Sequence, residues 1–312
     1  MVTFPESGVE TYIWLPPLVA FCVSLFTSTA GVSGAFILLP FQMSVLGYTQ
    51  PSVSATNHVF NITAIPSGVY RYIKEGRMVW PLAWIVIVGT LPGVFIGAII
   101  RVSYLPDPRN FKLFAGCVLL YIGLRMLKSL LGTTNASAAE ARFQELVRAH
   151  RQKKETSETE FPAIRVTSFT MQRMSYEFYG EQFSVFTPGI LLISFVVGIF
   201  GGIYGIGGGA IIAPIFVSFF HLPIYTIAGA ALMGTCVTSG AGVVFFHVLS
   251  YFYADISVAP DWSLGLLFGL GGMLGMYLGA RLQKYIPAKV IKWLLSLIVL
   301  FVAGKYVIGF FF

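Results

Sequence analysis

Charge is what this chain has least of. Only 11% of its 312 residues are Asp, Glu, Lys or Arg, and the mean hydropathy is +0.79, where a soluble domain carries about 25% charged residues. That scarcity excludes a water-soluble enzyme domain. Cysteine is nearly absent as well. Cys22, Cys117 and Cys236 stand singly in apolar runs, with none of the paired spacing that a disulfide framework, thiolate cluster or CxxC redox site requires. Glu6 and Glu10 precede the first apolar run where a basic n-region would stand, so no cleavable signal is expected. Alternating ten-residue segments, the mark of a membrane barrel, are also missing. Runs such as Val79–Ile100 and Trp293–Phe312 are continuously apolar and about one helical span long. The reading is an all-α polytopic membrane protein.

The net charge of +7 does not point to nucleic acid. The polar segment Gly132–Ser184 is neutral, with seven Lys/Arg and seven Asp/Glu, and the remaining 13 basic and 6 acidic residues lie near the spans, where they report orientation.

What is abundant is glycine in two places. Six glycines occupy the nine positions 201–209, followed by Pro214, and a fainter copy runs from Gly31 through Ser33 and Gly34 to Pro40. Gly31, Gly34 and Pro40 match Gly205, Gly208 and Pro214 at an offset of 174 residues; Trp80, Gly97 and Ala98 match Trp262, Gly279 and Ala280 at 182. The change of offset is an eight-residue insertion, expected in the Tyr251–Asp261 connection. An internal duplication of this kind is a transporter's signature more than an enzyme's. Candidate spans fall at Ser52–Tyr72, Val79–Ile100, Phe111–Leu131, Ile224–Tyr251, Leu264–Leu282 and Val290–Phe312.

Loop charge sets the topology. Arg71, Lys74 and Arg77, together with Arg125, Lys128 and the four basic residues of Arg281–Lys292, place those connections in the cytoplasm, and Asp255 and Asp261 face outward. Phe186–Phe220 must then enter the membrane and return to His221. Its expected arms of 15 and 11 residues, at about 1.5 Å per residue, fall short of a roughly 30 Å core, so a re-entrant helical hairpin fits. The same reasoning makes Tyr12–Leu46 a hairpin entered from outside. Each half becomes a re-entrant hairpin plus three transmembrane helices, and the halves are inverted repeats: 10–131, a cytoplasmic insert at 132–184, and 185–312. Arg101, Arg109 and Lys112 lie outside on this scheme, against the charge rule. The insert is expected to hold an amphipathic helix over Ala136–Arg151, a strand over Ala163–Met171 and a hairpin at Tyr179–Glu181, and to act as a cap or a docking element for a cytoplasmic partner.

Unwound backbone at membrane depth survives only against protein or a water-filled cavity. The helix that restarts after each break presents free N–H groups and a partial positive charge. Two such ends meeting at the midplane form an anion site without any charged side chain, in keeping with the lack of Lys or Arg at mid-span. Ser33, Gly34, Ala35, Gly207, Gly208 and Gly209 would supply backbone donors. Asn57 and Asn61, four apart on one helix face, and Thr235 and Thr238 on the counterpart helix would supply side-chain donors. His58, on the same helix, is the candidate for proton coupling. The competing readings are close helix packing for the glycines and interhelical hydrogen bonding for the asparagines. Gly31-Val32-Ser33-Gly34 with His58 also imitates a serine-protease dyad, but the equivalent Gly205-Ile206-Gly207-Gly208 has no serine. No Lys-Ser/Thr follows the 201–209 glycines, which excludes a phosphate loop.

The break Gly-Xaa-Gly-Gly-Gly-Ala-(Xaa)3-Pro, its echo at Gly31–Pro40 and the following Ala55-Thr56-Asn57 resemble the sulfite exporter TauE/SafE family of membrane permeases over roughly residues 10–131 and 185–310. That resemblance implies movement of small sulfur-containing anions, such as sulfite, sulfoacetate or other organosulfonates, across a bacterial inner membrane, with no cofactor. A passive anion channel is the alternative from another class. Self-association into a homo-oligomer is carried as a further expectation.

Overall fold

The structure is a computed structural model that describes residues 1–29, 33–74, 76–131, 164–178, 180–220, 222, 224–282 and 288–311. Two short strands open it, β1 (Val2–Phe4) and β2 (Val9–Thr11), paired antiparallel; they carry no signal in an apolar-run reading and were not expected. The helices of the first part are α1 (Leu15–Thr29), α2 (Ala35–Ser44), α3 (Ser52–Lys74), α4 (Trp80–Ser103) and α5 (Pro108–Leu131). Strands β3 (Ile164–Phe169), β4 (Arg173–Phe178) and β5 (Glu181–Phe186) follow as one antiparallel sheet in chain order. Helices α6 (Thr187–Tyr204), α7 (Gly209–Phe219), α8 (Ile224–Ser250), α9 (Trp262–Leu282) and α10 (Ala288–Phe311) complete the chain. The helix expected over 136–151 lies outside the described residues, as do Gly31, Val32 and His221.

Helices α4, α5, α6, α8, α9 and α10 are long and apolar enough to cross a membrane. Helix α3 has the length, 23 residues, but is more polar, and its polar residues Ser52, Ser54, Thr56, Asn57, His58 and Asn61 are all buried. It packs against α8 and α9, so its polar face is wrapped in protein, where hydrogen-bonding groups at membrane depth belong.

Hydrogen bonds define the two ends of the bundle. At one end Ser7 Oγ donates to Asp261 (2.7 Å), Ser257 Oγ to the Glu6 carbonyl (2.8 Å) and the Ser52 amide to the Ser257 carbonyl (3.0 Å). Those bonds gather the N-terminal strands with the starts of α3 and α9. Tyr253, just past α8, bonds Ser103 at the end of α4 (2.8 Å). At the other end Tyr176 on β4 bonds Thr226 at the start of α8 (2.9 Å), and the Thr187 amide at the start of α6 donates to the Gln172 carbonyl (3.1 Å). Since α6 and α8 both begin at the sheet, the intervening segment goes in and comes back. Phe220 beyond α7 closes the loop, its ring 3.5 Å from where a methyl on Gly189 in α6 would sit. Helices α1 and α2 turn back in the same manner from the end that holds the N-terminal strands. The two helix pairs therefore start at opposite ends of the bundle.

Helix α6 is longer than expected. It runs through Gly201 and Gly202 to Tyr204, because those two glycines are helix-packing positions: a methyl on Gly202 would strike the Val94 carbonyl and one on Gly201 the Gly208 amide. The break is confined to Gly205–Gly208, where Gly205, Gly207 and Gly208 have φ of +82°, +60° and +83°, a region open to glycine and costly for other residues. Packing seams flank it. Gly89, Gly93 and Gly97 bring α4 onto the backbone of α6, and Gly271, Gly275 and Gly279, each 182 residues later, bring α9 onto α1. Small residues at four-residue spacing allow such backbone-to-backbone approach.

In the insert, the strand expected near 163–171 and the turn near 179–181 are present as β3 and the β4–β5 connection, with Gly180 at φ +85°. Met174, Tyr176 and Phe178 alternate inward on β4.

Candidate functional site

The geometry is built on Asn61. Its side chain lies two turns into α3 and is fully buried. Ser33 Oγ, at the first break, donates to its Oδ1 (3.0 Å); its Nδ2 donates to the Gly205 carbonyl at the second break and to Ser239 Oγ on α8 (both 3.3 Å). One amide thus touches both breaks and both central helices. One turn earlier, Asn57 Nδ2 donates to the Ala35 carbonyl at the start of α2 (3.1 Å). Across the site, Thr238 Oγ1 reaches the Gly207 carbonyl (3.1 Å) and that of Gly234 in its own helix (2.7 Å).

Asn61 thereby donates to the Gly205 carbonyl of the second break and to the Ser239 hydroxyl, and Asn57 to the Ala35 carbonyl in the first turn of α2. Unwinding a helix leaves carbonyls unpaired at its C-terminal side and N–H groups unpaired at the restart. At the second break Asn61 of α3 and Thr238 of α8 take up the Gly205 and Gly207 carbonyls. The restart amides of α2 and α7 remain as the groups of positive polarity. Thr235 is differently engaged: its hydroxyl donates to the Ala231 carbonyl (2.9 Å), and its methyl faces Gly207. Gly34 is the N-cap of α2 and Gly208 that of α7, which starts at Gly209. Ser33 Oγ also accepts from the Ala35 amide (3.4 Å).

His58 is fully buried. Its Nδ1 pairs with Ser239 Oγ (3.1 Å), its ring lies 6.0 Å from that of Phe246, and Nε2 has no partner among the described residues. Ser33 and His58 therefore bond to different groups, and the dyad that a protease would need is not assembled.

Further residues join the site that sequence reasoning passed over. Tyr204 OH donates to the Phe36 carbonyl (2.9 Å) and Ser54 Oγ to the Ile203 carbonyl (2.8 Å), so each hairpin or its neighbour holds the other's backbone. Ser24 and Thr27 of α1 lie beside Gly34, their hydroxyls 3.1 and 3.3 Å from where its methyl would sit. Both hydroxyls, the amide of Gln42 on α2 and Asn57 Oδ1 are buried without partners among the described residues. Gln42 was visible as a lone amide in the apolar run Ala35–Ser44.

A second network closes the end near the N-terminal strands. Asp261 caps α9 by accepting from the Leu264 amide (2.9 Å) while also receiving Ser7, and its own amide donates to Thr56 Oγ1 (2.9 Å), which pairs with Tyr48 (3.0 Å). Burial holds the Tyr48 phenol well above its usual range, so it is a neutral hydrogen-bonding group. Arg101 is fully buried beside it, donating to the Thr49 carbonyl (2.9 Å) and to that of Leu105, with its guanidinium 3.6 Å from the Phe111 ring centroid.

Comparison with known proteins adds an independent line. The sequence model described as Sulfite exporter TauE/SafE matches residues 17–306. Among curated proteins, the probable membrane transporter protein YunE of Bacillus subtilis (strain 168) is 24% identical over 287 residues, covering 90% of this chain and 92% of that protein. A probable membrane transporter protein of Xylella fastidiosa (strain Temecula1 / ATCC 700964) is 25% identical over 273 residues, 87% of this chain and 83% of that protein. The probable membrane transporter protein YdhB of Bacillus subtilis is 31% identical over 105 residues, a stretch of 34% of this chain and 40% of that relative. No solved structure matches the chain.

Proposed function

The chain belongs to the sulfite exporter TauE/SafE family, and from that premise we propose that it is a secondary transporter that exports small sulfur oxyanions, sulfite or an organosulfonate such as sulfoacetate, by alternating access across a bacterial inner membrane. The observation that carries this reading is the double attachment of Asn61 to Ser33 and Gly205. It holds both breaks within one side chain's reach, and with them the positive ends of α2 and α7. An oxyanion seated there meets backbone N–H groups and helix dipoles without the desolvation cost of a buried Lys or Arg. Asn61 and Thr238 position the second break by binding its carbonyls, and Asn57 ties down the first turn of α2. Ser33, Gly34, Ala35, Gly207, Gly208 and Gly209 supply the anion-facing backbone, and Thr235 shapes the floor under Gly207.

Hairpins entered from opposite ends support the inverted-repeat reading of the two halves, and alternating access follows if they open in turn. A membrane potential negative inside expels an anion with about 2.3 kcal/mol per charge per 100 mV, which favours export. Proton coupling through His58 is the additional driving force to test.

Counterflow of labelled sulfite or sulfoacetate in proteoliposomes tests the proposal. Uptake should saturate and should vanish in Gly208→Leu, where a branched side chain is forced into φ +83°. An ohmic current that never saturates would replace the transporter by a channel.

A further inference from the structure

We propose that the groove between α2, α5 and α10 is a binding site for an anionic phospholipid, with the phosphate of the headgroup paired to Lys305. The groove encloses about 260 Å³ and is lined by Phe41, Leu119, Ile298 and Val302, with Ser44 and Lys305 as its polar lining residues. Its polar residues, Ser44 and Lys305, take no part in the hydrogen-bond network of the breaks described above. The inference rests on this geometry and stands whichever anion is transported.

Three observations choose a lipid. First, the groove opens sideways: Phe301 and Ile298, which line it, are 75% and 43% exposed on a helix apolar enough to cross a membrane. Its solvent is hydrocarbon, which admits an acyl chain and excludes a free ion. Second, the charge sits at one depth. Lys305 is exposed, with no hydrogen bond or ion pair to a described residue, and stands six residues before the end of α10, about 9 Å at 1.5 Å per residue. A lysine stem lying on apolar surface with its ammonium towards the interface meets lipid phosphates at that level. Third, the surroundings are basic. Lys112 stands seven residues before Leu119, two turns along the same face of α5, and the nearby carboxylate of Asp107 is engaged in accepting the Arg109 and Asn110 amides (2.6 and 3.3 Å). The basic excess that loop charge leaves unexplained at this end is the complement of an anionic headgroup.

A second copy of this chain docked on α10 is the competing occupant. Covering Lys305 with another apolar helix would bury an unpaired ammonium, at a steep cost, whereas a phospholipid supplies acyl chain and counter-charge together. The groove includes Ile37 and Phe41 of α2, the helix whose first turn forms the first break, so an occupied groove steadies that hairpin from behind.

Native mass spectrometry of the full chain, titrated with phosphatidylglycerol and phosphatidylcholine of matched acyl chains, tests the site. The wild-type protein should retain phosphatidylglycerol preferentially. Lys305→Gln should lower that retention about fivefold, the effect of one cation near a membrane surface, Lys305→Arg should restore it, and Val302→Trp, which fills the groove, should lower retention of both lipids. The thermal midpoint of each variant in lipid-free detergent shows that it folds. Equal retention of the two lipids by the wild type, indifference to Lys305→Gln, or a dimer cross-linked through Phe301→Cys on α10 with no lipid retained would each overturn the proposal.

Discussion

At the scale of single residues the molecule depends on buried amides more than on charges. Asn61 satisfies three partners on three elements, and a buried polar group left unpaired costs about 1–3 kcal/mol. Asn61→Ala is therefore expected to lower the thermal midpoint in detergent and to reduce transport about tenfold or more, while Asn110→Ala, at an exposed position, should change neither. Gly207→Ala meets two obstacles at once, a φ of +60° and the Ser239 hydroxyl 2.7 Å from the new methyl, so initial-rate flux should fall even where the protein still folds. His58→Gln keeps a hydrogen-bonding group for Ser239 but cannot titrate. Flux driven by an imposed potential is expected to persist in it, and any flux driven by a pH gradient alone should disappear. Asn57, Asn61 and His58 were legible in the sequence because polar residues on successive turns of an otherwise apolar helix have few explanations. The buried state of Arg101 and Asp261 was not. Both read as loop charges, and only tertiary contacts remove them from water, among them the Phe111 ring over one and Ser7 beside the other.

At the scale of elements, the two breaks are held between glycine seams. The seam of α4 on α6 involves Gly93 and Gly97, where an added methyl would strike the carbonyls of Phe195 and Ile199; that of α9 on α1 involves Gly275 and Gly279, which face the carbonyls of Phe21 and Leu25. Overpacking of this kind costs about 1–3 kcal/mol. Gly97→Val and Gly279→Val should each lower the unfolding midpoint, and the lowered midpoints should be similar, because the two contacts are built alike. Gly304→Val, with nothing within 4 Å of its methyl, is the control. The sequence displayed the hairpins as short arms around glycine, but it blurred where α6 ends. Gly201 and Gly202 look like break residues by composition, and only the backbones they face, that of Gly208 for Gly201 and that of Val94 in α4 for Gly202, show that they lie inside the helix and serve close packing. The N-terminal strands are too short to announce themselves; pairing with each other and docking on Ser257 make them visible.

At the scale of the whole molecule, the arrangement of ends predicts sidedness. In a background lacking Cys22, Cys117 and Cys236, cysteines placed at Ser184 on β5 and Phe219 at the end of α7 should react with an impermeant maleimide from the same side of the membrane. A cysteine at Asp255 should react from the opposite side. Labelling of 184 and 219 from different sides would mean that α6 and α7 both cross. The burial of α3 among α8 and α9 adds that its polar face is turned away from lipid.

The sequence by itself determined the solvent and the places where the apolar helices break. Scarce charge with helix-length apolar runs admits a bilayer and little else, and two glycine clusters at a constant offset mark where helices are interrupted, because period, length and glycine content are local properties of the chain. The tertiary structure alone decided which groups the asparagines serve, where the second break begins, and that one amide joins both breaks. Those outcomes depend on which backbone carbonyl lies within about 3 Å of which side chain, and such distances, between residues from 22 to 144 positions apart, are set by packing.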